Sequence, residues 1–254
     1  MVTENEKEDL ESAGLRLVSD NREVSVPPDV DKQFVNFIFF RVNPGWRRLS
    51  SADKQQFRAE AKDVFEEFRR GMLYFTYSLV GFDSKADLML WRVSETLDSI
   101  QDMTARLYQT NLGSFLETAD NYLSVTRKMM FVGPEKASIQ DRCHVVAGSK
   151  RYHFLYPCAK SKDWYDMADE DRENLISENF MVGKRFQNIK IHLTHAFGFS
   201  DQEYLISFET DEPKDFLALA EELRRTPASK FSLRGMPIYT CRRYGVDDCL
   251  RSIG

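Results

Sequence analysis

The chain has 254 residues, of which 42% are hydrophobic and 30% charged, a mixture too apolar for a disordered chain and too evenly spread for a membrane-embedded one. Its 35 basic and 40 acidic side chains leave a formal net charge of −5, so no sequence-wide cationic field exists to hold nucleic acid or an anionic membrane surface. No run approaches the roughly 20 apolar residues of a spanning helix, and the acidic start MVTENEKEDLESAG is unlike a secretory signal, so a cytoplasmic protein is expected.

The length suits one large domain or two ordinary ones. The four cysteines, Cys143, Cys158, Cys241 and Cys249, lack CxxC spacing and are too few for a disulfide framework. Reduced thiols are expected.

Residues 1–30 are rich in Glu, Asp, Asn and Ser, end on Pro27 and Pro28, and read as an acidic tail or an arm laid on a neighbour. From Gln33 the run QFVNFIFFRV has the short, aromatic composition of a buried strand. A helix follows: Ser50 and Asp53 have capping-box spacing, Phe57, Ala61, Val64, Phe65 and Phe68 share one helical face, and Gly71 stands where a C-terminal cap would. MLYFTYSLVGF and ADLMLWRVSE, joined through Asp83 and Ser84, predict a hairpin. A helix from about Leu97 to Tyr108, an irregular segment and a strand over 124–132 complete the order β-α-β-β-α-β. This is the ferredoxin-like arrangement, an α+β fold with two helices on one face of an antiparallel sheet.

The second half repeats it: strand YHFLYPC, helix WYDMADEDRENLISENF, strand IKIHLTHAFGF, strand EYLISFET, helix PKDFLALAEELRR and strand MPIYTCR. At a constant offset of 117, Gly81-Phe82 meets Gly198-Phe199, Leu88 meets Leu205, Trp91 meets Phe208 and Ile100 meets Leu217, which argues for duplication of one unit. The expected division is an N-terminal ferredoxin-like domain over 31–133, a linker over 134–150 and a C-terminal one over 151–254. Helices cover one face of each sheet, so the other faces must bury themselves on each other, on a ligand or on another subunit.

Generic chemistry is sparse. On a strand over 189–197, His192 and His195 have opposite parity and face apart, so no metal is shared between them. His144 and His153 complete the histidines. The acidic run Asp166, Asp169, Glu170, Asp171 and Glu173 suits a helix start, and Arg224 with Arg225 suits a helix end. Lys150, Arg151, Lys160 and Lys162 bracket the strand holding Tyr156, as either a solvated surface or a carboxylate-binding patch. No phosphate loop, nucleophile elbow or HExxH is present.

Tyr156-Pro157 with Lys160 in YPCAKSKDWY, Trp164-Tyr165, Arg172 in DEDREN, the stretch HAFGFSDQEYLISFETDEP, MPIYTCRR at 236–243 and Asn121-Tyr122 in NYLS together resemble the chlorite dismutase family, most of all its actinobacterial-type coproheme decarboxylases. The resemblance covers about 33–245. It implies haem b or coproheme in the C-terminal half, and self-association into rings of five subunits.

In that family one histidine on the helix after the Trp-Tyr pair ligates iron. Counting from Trp164 through Arg172, that position is Asn179, and an amide is a poor iron ligand beside imidazole, with neighbouring Glu178 a hard oxygen donor at best. The glutamate that steadies the histidine falls on Ala228, and the distal arginine or glutamine falls on Ile191, which cannot donate to chlorite or to a bound peroxide. Tyr156 matches the tyrosine whose radical starts propionate decarboxylation, Lys160 the lysine near it, and Asn121 and Tyr122 residues that approach the porphyrin. By strand parity His195 is the nearest substitute ligand. The resemblance thus implies a tetrapyrrole-binding protein that is no chlorite dismutase, with Tyr156 and Lys160 as catalytic candidates if coproheme is decarboxylated. The alternative is a haem-free structural or interaction member with a degenerate pocket.

Overall fold

A computed structural model describes residues 33–126, 150–233 and 235–254. The acidic arm, the linker up to Ser149 (with Cys143 and His144) and the end of the strand expected over 124–132 lie outside the described residues.

The first half runs β1 (Phe34–Val42), α1 (Ser51–Phe68), β2 (Leu73–Ser78), β3 (Leu88–Ser94), α2 (Leu97–Tyr108) and β4 (Leu116–Val125). The second runs β5 (Tyr152–Cys158), the short α3 (Lys162–Asp166), α4 (Asp169–Lys184), β6 (Lys190–His195), β7 (Tyr204–Thr210), α5 (Pro213–Arg225) and β8 (Tyr239–Tyr244), followed by α6 (Val246–Ser252). The duplicated ferredoxin-like order is therefore present, and the two sheets bury their open faces on each other by closing one barrel in the order β1-β3-β2-β8-β5-β7-β6-β4. Among the described residues, the halves join through three rungs between β2 and β8, around Tyr77 and Arg243, and through the rung Val125 to His195 between β4 and β6.

The local signals account for these elements. Ser50 caps α1 by accepting from the Asp53 amide at 3.1 Å, and Ala61, Val64 and Phe65 are buried beneath it, as their spacing predicts. Gly71 does not take the left-handed conformation of a helix cap. The positive-φ glycines include Gly81 (φ 82°) and Gly198 (φ 78°), the matching hairpin turns of the two halves.

Several expectations are corrected. The last strand of the first half begins at Leu116, inside the segment read as irregular; its polar LETADN start hid it, and a register shift between Phe39 and Phe40 accommodates it. The single helix expected over 164–180 is broken at Met167–Ala168, whose backbone is extended. Buried Arg172 holds the break together, donating to the carbonyls of Trp164 (3.1 Å), Tyr165 (3.3 Å) and Met167 (2.8 Å). α6 was not expected, although Gly245 before Asp247 and Asp248 is a helix-start signal. β6 ends at His195 and β8 begins only at Tyr239.

The constant offset is also refined. Leu88 faces the helices while Leu205 faces the barrel, and Trp91 faces the barrel while Phe208 faces the helices, so those pairs sit on opposite sides of their strands. Leu217 is 60% exposed where Ile100 is buried. β2 with β6 and β4 with β8 keep the offset. β3 and α2 match one residue less, and β1 and α1 one residue more, so that Val35–Val93 corresponds to His153–Glu209 and Asn36–Arg92 to Phe154–Phe208 in the strand pairing.

Three cores result. The barrel interior holds Phe37, Phe39, Phe75, Tyr77, Trp91, Tyr122, Leu155 and Tyr239. Outside the first half, α1, α2 and α6 close over Ile38, Phe40, Leu88 and Leu90. Outside the second half, α4 and α5 cover Phe154, Phe208 and Phe216, and here β6 stays half exposed along its outer side, at Ile191, Leu193 and His195.

Candidate functional site

The half-covered outer face of β5, β7 and β6 brings several of the expected residues together. Along α4, Arg172, Ile176, Asn179, Val182 and Gly183 follow the helical repeat and form its inward side, with Phe186 just past its end. Gly183 fixes where that side meets the sheet, because a Cβ built on it would lie 3.2 Å from Cδ1 of Ile191. Asn179, one turn earlier, therefore faces the same strand surface as Ile191. Its Oδ1 is buried and has no hydrogen-bond partner among the described residues, a state that costs about 1–3 kcal/mol. Glu178, beside it, is exposed to solvent.

Tyr156 lies on this face, its ring edge-on to Phe208 (5.6 Å) and Phe216 (5.8 Å), and burial pushes its phenol above the ordinary range. Phe154 and Phe216 stack at 3.9 Å beside it. Lys160 sits at the strand's far end. Its ammonium donates to Ser232 Oγ at 2.9 Å and to the Ala228 carbonyl at 3.4 Å, and lies 4.6 Å over the ring of Trp164, with burial lowering its pKa. Trp164 is itself buried against Phe231, a packing position. Ala228 is fully buried and contributes only that carbonyl.

Other expected residues are placed elsewhere. Tyr122 is inside the barrel, 3.3 Å from the Tyr239 hydroxyl, and Asn121 is on the outer side of the first half, accepting from Asn36 at 2.7 Å. Asn121 and Ile191 each lie four residues from the Val125–His195 rung, in opposite directions, so roughly 25 Å of strand separates them. His195 does face outward, between Tyr204 (5.4 Å) and Phe197 (6.5 Å). At roughly 13 Å along the strand from Ile191, it is too distant to ligate a metal held between Asn179 and Ile191. The basic cluster splits as well: Lys150 pairs with Asp211 at 2.9 Å, at the opposite end of β5 from Lys160.

His192 faces the barrel, opposite to His195 as parity predicts. Its Nε2 is 2.6 Å from Glu209, and the Trp91 ring is 5.4 Å away. His153, fully buried, packs against Trp91 (4.9 Å), Tyr77 (5.2 Å) and Phe37 (5.7 Å), and burial lowers its pKa to about 3. Among the described residues, no partner is seen for either ring nitrogen of His153, for Tyr77 Oη, for Trp91 Nε1 or for Ser207 Oγ. Sequence reasoning missed this interior group because strand parity separates the faces of β6 without showing that its inner face meets β5 and β7 inside a closed barrel. It also missed Glu203, which accepts from the Lys160 amide (2.7 Å) and the Tyr165 hydroxyl (2.5 Å), and Gly183, whose signal was a glycine within a helix.

The sequence model of the chlorite dismutase family matches residues 54–244. This chain belongs to that family. A coproheme decarboxylase of Mycolicibacterium smegmatis is 24% identical over 183 residues, spanning 70% of this chain and 75% of the relative. A chlorite dismutase of Ideonella dechloratans is 21% identical over 206 residues, 79% of this chain and 72% of the relative. The structure of a mutant chlorite dismutase from Candidatus Nitrospira defluvii superposes with a TM-score of 0.80 at 25% identity, covering 86% of this chain and 94% of that one. The relatives thus include a coproheme decarboxylase and chlorite dismutases, and membership by itself leaves the chemistry of this chain to its own residues.

Among the described residues, the inward side of α4 offers an amide at Asn179 and no imidazole, and the rings of His153 and His192 pack against Trp91 in the barrel interior.

Proposed function

We propose that this chain is a tetrapyrrole-binding member of the family that holds its macrocycle between α4 and the outer face of β5, β7 and β6, and that it does not dismutate chlorite. The observation that carries this reading is Asn179, on the inward side of α4 one turn before the Gly183–Ile191 contact, with a buried Oδ1 that has no partner among the described residues. A flat apolar ring suits the half-exposed side chains of Tyr156, Ile191, Leu193 and Ile206, and anionic ring substituents suit Lys160 and Arg224 at the rim. Ile191 has no group to stabilise a departing or attacking oxyanion. No oxidative step is derived, so Tyr156 and Lys160 serve here as contacts to the ligand edge. A ring of five copies, presenting the exposed Phe82 and Phe199 turns to neighbours, belongs to the same proposal.

The purified chain titrated with haem and with coproporphyrin III should show quenching of tryptophan emission by at least one of the two, and chlorite should release no oxygen from either mixture. Oxygen release from chlorite would overturn the assignment. A second reading, a haem-free interaction protein, draws support from the Phe154–Phe216 stack and the Gly183–Ile191 contact, which fill part of this face with the chain's own atoms. Complete absence of quenching would favour it.

A further inference from the structure

We infer that the first half carries a small-anion site at the rim of the barrel, a pocket that accepts the phosphate or carboxylate group of a small molecule. The pocket measures about 290 Å³ and lies between the end of β1, the 3-10 turn Pro44–Arg48 and the β2–β3 hairpin, with Arg41, Arg47 and Lys85 in its lining. It is remote from α4 and stands or falls independently of the tetrapyrrole reading above.

The two halves build this corner in the same way. The Asp87 amide donates to the Phe40 carbonyl and the Leu79 amide to the Asp87 carbonyl, each at 2.8 Å. In the second half the Glu203 amide donates to the Cys158 carbonyl at 3.0 Å and the Ala196 amide to the Glu203 carbonyl at 2.8 Å. The carboxylates match as well, since Asp87 Oδ2 accepts from the Val42 amide and Glu203 Oε2 from the Lys160 amide, both at 2.7 Å. A short helical turn follows each strand end and buries a tryptophan, Trp46 or Trp164. The next residue is where they part. Tyr165 donates its hydroxyl to Glu203 at 2.5 Å and closes the second corner with the chain's own atoms. Its counterpart Arg47 is exposed, and the first corner stays open as the pocket.

The charges around that opening favour an anion. Arg41, Arg47 and Lys85 are all exposed, and among the described residues none of them lies within ion-pair distance of a carboxylate. The two acidic side chains of the lining are already held by main-chain donors: Asp87 by the Val42 amide, and Asp83 Oδ1 by the amides of Lys85 (2.6 Å) and Ala86 (3.1 Å). Three cations against two carboxylates leave the lining at a formal +1 in a chain of net −5. Neither arginine is needed to build the corner, because Ala159 and Tyr165 stand in their places in the second half. A guanidinium presents paired N–H donors in the fork that phosphate and carboxylate oxygens fit. Val42, Pro44 and Val80 complete the lining with apolar surface, which suits a compact apolar body behind the charged head.

The full chain is titrated by calorimetry with inorganic phosphate and with benzoate. At least one should bind saturably at one site per chain, and added potassium chloride should weaken it. Tighter phosphate assigns the head group as phosphate, and tighter benzoate assigns a carboxylate on an apolar body. Arg41→Gln combined with Arg47→Gln should weaken binding by roughly tenfold or more. Arg47→Tyr should abolish it, by letting a phenol close on Asp87 as Tyr165 closes on Glu203, with circular dichroism showing that the variant folds. Lys62→Gln, which removes a cation paired with Asp247 elsewhere on the surface, should leave binding as it is. No saturable binding of either anion, or binding that survives the double arginine substitution, overturns the site.

Discussion

The two halves share one backbone plan and distribute polarity in opposite ways. In the first, the strand residues facing the barrel are Val35, Phe75, Trp91 and Val93, and their counterparts in the second are His153, His192, Ser207 and Glu209. On the helix side the pattern inverts. Arg92, buried there, donates to Asn36 Oδ1 (2.6 and 3.1 Å), the Ile100 carbonyl (3.0 Å) and Thr104 Oγ1 (2.7 Å), where the second half has only Phe154, Phe208 and Ala220. A third helix, α6, seals the first half, and the Trp46 indole is fixed to the Gly254 carbonyl at 2.7 Å. The lesson is that a duplicated unit can specialise without changing topology: a polar pin and an extra helix fix one outer face, while the other is packed by apolar side chains alone.

The largest test of this contrast is acid. His153 has a folded pKa of about 3 against 6.5 for an ordinary imidazole, because burial disfavours its charged form. The unfolded chain therefore takes up a proton first as pH falls below 6.5, and stability is lost progressively down to about pH 3, by roughly 3–5 kcal/mol for this group. Urea unfolding across that range should show the loss, and His153→Val, which copies Val35, should flatten the slope relative to the parent; identical slopes would break the comparison. Next in size is the pin. Arg92→Met leaves Asn36 Oδ1 without its guanidinium donor in a buried setting, and should cost about 2–4 kcal/mol by urea denaturation. The smallest effect is expected at Gly183→Ala: the new methyl meets the flexible end of Ile191 at 3.2 Å, and the roughly 0.5–1 kcal/mol gained by replacing a helical glycine offsets the crowding. Its thermal midpoint should stay within about 3 °C of the parent.

Much of this plan was legible in the residues. The period-2 and helical repeats located most elements, and Gly81 and Gly198 revealed the duplication because both hairpins need a left-handed residue at the same place. The offset misled by one residue in β1 and β3, since apolar residues occupy both faces of a strand buried on both sides and a match in kind there does not fix which way it points. β4 escaped detection because its first residues are polar and partly exposed. At the site, the sequence pointed to Asn179, Ile191 and Tyr156, which the fold does bring to one surface. It did not show where Asn121 and Tyr122 stand relative to that surface, because which side of the closing rung a residue occupies depends on strand stagger between halves, a property that no local pattern records.

The few rungs joining the halves have a kinetic meaning. Pairings inside each half close shorter stretches of chain and return long ladders, whereas the β2–β8 and β4–β6 rungs join strands far apart in sequence for little backbone gain. Contact order alone then predicts that each half-sheet forms around its own helices before the cylinder closes over the imidazoles and the Glu209 carboxylate.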